Sequence, residues 1–186
     1  MAETVRIATK ADEPEIIRLL HLMHAEGGML PLDLGRAREM FAQAFDRKGG
    51  IMGVIGGPGN IKAMIYLFMS KYWYTNADHL EEVFNFVSPE HRKAGYGKDL
   101  IVFAKECADK ICVPLVIGVL TNQRMEEKVR LYRRVLGTPC GAFFVYGANF
   151  ANLELSNNKF WKDILERQPK PKSANGSASA THRADA

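Results

Sequence analysis

Val87-Ser88-Pro89-Glu90-His91-Arg92-Lys93-Ala94-Gly95-Tyr96-Gly97-Lys98 is the stretch on which the reading of this chain turns. Residues 80–87 before it alternate like a strand, and Ser88-Pro89 ends that pattern. Residues 98–108 after it repeat like a helix, with Leu100, Ile101, Phe103 and Ala104 on the inward stripe. A strand, a loop of small residues and a helix start leave backbone N–H groups without intrahelical partners, and such groups favour an anion. Gly95 and Gly97 permit close approach to that backbone, while Arg92, Lys93 and Lys98 add positive charge around the same point. The chemistry so far is that of a phosphate. Neither GxxxxGK[ST] nor GxGxxG with a downstream acid is present, so the loop fits neither a P-loop nor a dinucleotide fold. The competing reading is a loop that only turns the chain.

Working outward, residues 4–9 read as a short strand, and Asp12 with Pro14 opens a helix through Ile16, Ile17, Leu19, Leu20 and Met23 that Gly27 and Gly28 stop. Residues 33–45 read as a second helix. Residues 51–55, a turn at 56–60 and residues 61–70 make an antiparallel hairpin. Downstream of the glycine segment, residues 114–120 read as a buried strand and residues 122–136 as a charged amphipathic helix stopped by Gly137 and Pro139. Residues 141–146 supply another strand, and Trp161 with Leu165 suggests a short last helix. From Gln168 onward almost nothing can be buried, which predicts a domain over 1–167 and a flexible tail over 168–186.

A chain of 186 residues, nearly half apolar and a quarter charged, suits one soluble globular domain. Its net charge of +4 lies partly in the tail, so nucleic acid is allowed but not indicated. Three cysteines, Cys107, Cys112 and Cys140, cannot all pair, and no CxxC or paired-His pattern suggests zinc; His21 and His24 share a helix face without a third ligand. The expectation is a metal-independent protein with reduced thiols. No basic-then-apolar leader and no spanning apolar run are seen, which predicts a cytoplasmic protein without a membrane partner.

Residues 87–98 resemble the V-x-P-x-x-R-x-x-G-x-G signature of the GNAT acyltransferases, and the order of strands and helices over residues 4–150 is similar to the fold of that superfamily. The resemblance implies an α/β (α+β) single domain with a mixed central sheet of about six to seven strands flanked by helices. It implies an N-acetyltransferase that moves an acetyl group from acetyl-CoA to an amine by direct attack in a ternary complex. On the matching positions, Phe86, Val87, Arg92, Lys93, Ala94, Gly95, Tyr96, Gly97 and Lys98 would meet coenzyme A, with a backbone N–H near Val87 holding the thioester carbonyl.

Acyl transfer to an amine needs a neutral nucleophile, a polarised carbonyl and a protonated leaving thiol. A lysine-like amine with a pKa of about 10.4 pays roughly 4–5 kcal/mol to be neutral near pH 7, which a carboxylate base helps offset. Glu81 and Glu82 are adjacent in the strand and point to opposite faces; by simple alternation Glu81 shares a face with Asn85 and Val87. The place of Glu81 before Val87 also resembles that of the general-base glutamate in some GNAT enzymes. The competing reading is two solvated edge charges. Residues 128–134 resemble the GNAT helix whose tyrosine lies beside the CoA sulfur, which makes Tyr132 the proton donor. Asn122 stands further upstream of Tyr132, and Gly137 one position later, than the family pattern has them, so Asn122 is the weaker cofactor contact. Arg130, Arg133 and Arg134 read as a solvated face as readily as a phosphate contact.

By resemblance, the acceptor would sit between residues 27–36 and the strands after Gly141, with Met29, Leu30, Leu32, Phe143, Phe144 and Phe150 as an apolar wall. Acceptor identity stays open among small amines, peptides and proteins, and a homodimer is allowed. Two rival functions stand beside the enzyme: a catalytically silent GNAT-like CoA-binding or regulatory module, and a nucleic-acid-associated protein, which steep salt dependence of DNA or RNA affinity would betray.

Overall fold

The structure, a computed structural model, describes residues 3–121 and 124–141. Strand β1 (Arg6–Ile7) leads through a 3-10 turn into helix α1 (Glu13–Gly27), and α2 (Leu34–Phe45) follows. Strands β2 (Gly50–Ile55), β3 (Ala63–Lys71) and β4 (Asp78–Val87) come next, then a 3-10 turn over Pro89–Ala94, helix α3 (Tyr96–Ile111), strand β5 (Leu115–Val116) and helix α4 (Met125–Leu136). The sheet runs β1-β2-β3-β4-β5. Its first four strands are antiparallel, and β5 joins β4 in parallel after the α3 crossover.

Helices cover both faces of the sheet. Ile16 and Leu19 of α1 and Phe41 of α2 pack with Met52, Val54, Met64 and Tyr66 on one face; Leu100, Ala104 and Ala108 of α3 pack with Ala63, Ile65, Leu67 and Leu80 on the other. This is why residues 63–67 of β3 read as an unbroken apolar run rather than an alternating one: neither face of that stretch meets water. Gly53 on β2 lets α3 settle close to the sheet, since a Cβ there would lie 2.6 Å from the Phe103 ring. Asp33 caps α2 by accepting from the Arg36 amide at 3.0 Å.

Three expectations change. The sheet has five strands among the described residues, not six to seven; the strand expected over 141–146 lies outside them from residue 142 on, as do the helix with Trp161 and Leu165 and the tail with its boundary at 167. The strand expected over 114–120 pairs with β4 only at Leu115 and Val116, and both are half-buried. Its next amide, that of Gly118, donates to the Glu82 side chain at 3.3 Å instead of to a strand, so the ladder ends there. Helix α4 starts at Met125 rather than at 122, because Arg124 before it takes a left-handed conformation with φ 53°. No helix among the described residues is long and apolar enough to cross a membrane.

Candidate functional site

The parting of β4 and β5 after Glu81–Val116 opens a gap at the edge of β4. A cavity of about 460 Å³ fills it, lined by β4, the chain after β5, the end of α1, and Lys128 and Tyr132 of α4. A second cavity of about 250 Å³ lies between β4, the glycine loop and α4; Glu26, Asn85, Phe86, Thr121, Lys128 and Tyr132 line both. Arg92, Gly95, Gly97 and Lys98 face the second cavity, together with Phe86 and Val87.

The loop has the conformation its glycines suggest. Gly95 is left-handed at φ 86°, ends the 3-10 turn and begins α3. A Cβ on Gly95 would meet nothing within 4 Å, so the position requires glycine for its backbone and not for room inside the protein. Gly97 does require room, since its Cβ would come within 3.3 Å of Leu131 on α4. The first helical bond of α3 runs from the Lys98 amide to the Gly95 carbonyl at 2.9 Å, which leaves the amides just before it for an anion. Lys93, Ala94 and Tyr96 belong to the loop but do not line the cavity. Tyr96 turns away instead and donates its hydroxyl to Glu3 at 2.7 Å, where Lys62 also binds. Asn122 lies outside the described residues.

The strand alternation that favours Glu81 breaks at a bulge. Tyr66 faces Phe84 and Leu67 faces Glu82, so Val83 has no opposite residue. One extra residue reverses the parity of everything after it. Glu82, not Glu81, therefore shares a side with Asn85. Glu81 is half-exposed with its carboxylate 3.8 Å from His79, whereas Glu82 accepts from the Gly118 amide at 3.3 Å and from the Tyr132 hydroxyl at 3.4 Å. Asn85 donates to the same hydroxyl. The bulge also re-aims the backbone. The Leu80 amide points to the β5 side, bonding Pro114, while the Ser88 amide bonds Lys62 on the β3 side. By alternation from Ser88 the Val87 amide faces the gap, a direction that an unbroken strand counted from Leu80 would not give it.

Burial sets the electrostatics. Desolvation raises the Glu82 carboxyl from its ordinary 4.5 to about 7, against the opposing pull of the Gly118 amide, Lys128 and Tyr132. Desolvation, and then the Glu82 charge, pushes the Tyr132 phenol well above its usual range. Burial also lowers Lys128, with Glu82 and Glu26 opposing that shift. Glu26 holds Arg92 through both carboxylate oxygens at 2.5 Å, a pair that straddles the second cavity. Glu26 and Lys128 were not among the residues that motif and spacing singled out. Lys128 could have been found from its i, i+4 spacing to Tyr132, but nothing local pairs Glu26 with an arginine so far along the chain. Of the expected acceptor wall, Gly27 and Gly28 line the larger cavity while Met29, Leu30 and Leu32 do not; Phe143, Phe144 and Phe150 lie outside the described residues.

No protein-family model matches this chain, and no curated protein matches it. Solved structures do. A ribosomal-protein-alanine N-acetyltransferase from Brucella melitensis biovar Abortus 2308 is 16% identical with a TM-score of 0.61, over 78% of this chain and 99% of that one. An aminoglycoside 6'-N-acetyltransferase from Acinetobacter haemolyticus is 15% identical with a TM-score of 0.59, over 78% and 97%. A GNAT family acetyltransferase from Staphylococcus aureus is 13% identical with a TM-score of 0.55, over 78% and 99%. The chain therefore has the GNAT acetyltransferase fold.

Proposed function

We propose that this chain, with the GNAT fold and a two-part cavity at the parting of its sheet, is an N-acetyltransferase that takes its acyl group from acetyl-CoA. One observation carries the reading: the glycine loop and a half-buried carboxylate of raised pKa open onto adjoining cavities whose shared wall holds Tyr132. The residues present fit coenzyme A. The Gly95–Gly97 amides, Arg92 and Lys98 suit its diphosphate, and Phe86 and Val87 flank the way from there to the gap. When bound, acetyl-CoA supplies a thioester whose acyl carbon an amine attacks, breaking the C–S bond.

Each remaining task falls to a residue of this chain. Glu82 takes the ammonium proton before or during attack; a base with a pKa of about 7 is ionised enough at neutral pH to act and basic enough to hold the proton. The Val87 amide stabilises negative charge on the carbonyl oxygen, a kind of contact worth several kcal/mol when preorganised. Tyr132 keeps its proton at every working pH; once Glu82 has taken the amine's proton, the hydroxyl turns from it and offers its own proton as a hydrogen bond to the departing thiolate. Glu82 thus takes the role that simple alternation gives to Glu81. Cys107 makes a poor nucleophile, because burial pushes its thiol up, and this favours direct transfer over an acyl-cysteine. Binding must also exchange partners on Arg92: diphosphate oxygens displace the Glu26 carboxylate.

The test is release of free thiol from acetyl-CoA with mass-spectrometric detection of an acetylated amine, run over amines, peptides and proteins. Acetyl-CoA binding measured by calorimetry, without transfer to any acceptor, would favour a silent CoA-binding module instead.

A further inference from the structure

The hairpin between β3 and β4 breaks a local rule. The Thr75 amide closes a turn onto the Tyr72 carbonyl at 3.2 Å, and the Ala77 amide donates to the Thr75 hydroxyl at 3.0 Å. Trp73 and Tyr74 therefore take the two central positions, where turn chemistry favours Gly, Pro, Asn or Asp. Trp73 is 95% exposed and Tyr74 68%, so neither ring is there to fill the core. Both are nonetheless held. Tyr72 stacks on Tyr74 with ring centroids 5.7 Å apart, and Trp73 meets Tyr74 edge-on at 5.6 Å. A fixed aromatic cluster open to water, at positions that stability would give to smaller residues, marks a binding surface.

The cluster is joined to the larger cavity. Tyr72 also stacks on the buried His79 at 4.5 Å, and His79 lies 3.8 Å from the carboxylate of Glu81, which lines that cavity. Ser70 faces His79 and Phe68 faces Glu81 across the ladder, so this path follows the face of the sheet on which Phe68 packs with α1 and α2. The glycine loop lies at the other end of β4, beyond Val87. With coenzyme A entering from that end, an acceptor held in the cavity has the hairpin as its neighbour at the opposite one. A small amine ends inside the cavity; a polypeptide, at about 3.4 Å per residue, reaches Trp73 within roughly five residues. An open tryptophan face attracts a cation, and within the hairpin the one lysine, Lys71, is matched by Asp78 at 3.5 Å. We propose that residues 72–74 form the outer part of the acceptor site, and that the acceptor is a polypeptide whose basic side chain, within about five residues of the reacting amine, seats on Trp73 and Tyr74. This rests on the acyltransferase reading, because it takes the cavity to hold the reacting amine.

Calorimetry on the full chain saturated with CoA tests it without requiring turnover. The probes are hexylamine and two hexapeptides with free amino termini, one alternating alanine with arginine and one alternating alanine with glutamate. The arginine peptide is expected to bind about threefold to tenfold more tightly than the glutamate peptide, and Trp73→Ala to weaken it by a similar factor while hexylamine is unchanged. With acetyl-CoA, the same loss is expected in KM for the arginine peptide and not in kcat. Tyr74→Ala repeats the test from the second ring, with thermal melts to confirm that both variants are folded. No binding of the arginine peptide, equal binding of the two peptides, or a loss that Trp73→Ala spreads equally to hexylamine overturns the proposal, while acetylation of any amine keeps the enzyme standing. Trp73-dependent peptide binding without acyl transfer upholds the surface and sinks the acyltransferase instead. Shielding of Trp73 from acrylamide by phosphatidylcholine–phosphatidylserine vesicles, or by a second copy at high protein concentration, when the peptide gives none, also overturns it and assigns the hairpin to a membrane or a dimer. Binding of neither CoA nor any probe would overturn both readings.

Discussion

Asp12, in the turn before α1, and Glu82, on β4, are carboxylates drawn from bulk water whose surroundings shift their titration in opposite directions. Asp12, at the start of α1, is 1% exposed; Arg6 donates to both its oxygens at 2.8 and 2.7 Å, and the Thr9 amide adds a third bond at 2.8 Å. Those bonds, led by Arg6, hold it at about 2 in place of 3.8. Glu82, at the parting of β4 and β5, has one amide and one phenol at 3.3 and 3.4 Å and no bonded cation, and burial raises it to about 7. Burial alone does not distinguish a structural carboxylate from a chemical one; the partner does. The first region fastens β1 to α1. The second keeps a proton exchangeable near neutral pH, which is what acid–base catalysis requires.

The sharpest way to break this contrast is to remove each charge in turn. Glu82→Gln is expected to lower kcat/KM by about 100-fold to 1,000-fold, the range for loss of a general base, and to erase the acidic limb that the wild type shows as Glu82 loses its proton through pH 7. Glu81→Gln is expected to stay within about twofold. A larger loss from Glu81 than from Glu82, in the same pH-rate series, would return the base to the exposed residue.

Stability should respond in the opposite sense. Asp12→Asn is expected to cost about 2–3 kcal/mol by turning an amide toward the Arg6 guanidinium, with kcat unchanged for the molecules that stay folded; denaturant melts and initial rates check the two halves. The pH slopes separate the pair further. Asp12 is depressed in the fold, so its contribution of about 2 kcal/mol is present above pH 4 and is lost as pH falls through about 2. Glu82 is raised, so the fold is favoured below about pH 4.5 and loses roughly 2–3 kcal/mol as pH climbs through 7. Glu82→Gln should therefore melt at a higher temperature than wild type at pH 8 and at nearly the same temperature at pH 4. Coincident melting curves at pH 8 would mean that the carboxyl is better solvated than its surroundings indicate.

The smallest expected effect concerns Glu26, which must release Arg92 before phosphate can bind it. Glu26→Gln is expected to tighten CoA binding by about threefold to tenfold, a modest gain because the carboxylate is only partly buried. Weaker binding in the variant would show that Glu26 positions Arg92 and does not compete for it.

Much of this arrangement was legible in the sequence. The hairpin, both early helices and the strand–loop–helix around Gly95 follow from local periodicity and turn chemistry, and local rules sufficed because each of these elements buries one continuous stripe or run. The side chain that matters most was hidden by one residue. A bulge at Val83 leaves no mark in composition or alternation, because it is set by how β4 must bend against β3, and it exchanges the environments of Glu81 and Glu82. The Arg92–Glu26 pair was equally hidden, being made by tertiary packing between α1 and the glycine loop. Residues 114–120 misled for a related reason: they are apolar enough for a buried strand, but a side chain ends their ladder early.

The most direct measurement is a calorimetric titration of acetyl-CoA into the wild type and into Gly95→Glu, with thermal melts to confirm that both are folded. A Cβ there meets no protein atom within 4 Å, but any side chain is strained at this left-handed φ, so Gly95→Ala, which carries the strain without the charge, is titrated beside it as the control. Saturable one-to-one binding by the wild type and none by Gly95→Glu is the predicted result. Equal affinity in those two proteins would contradict the assignment of residues 92–98 to the diphosphate.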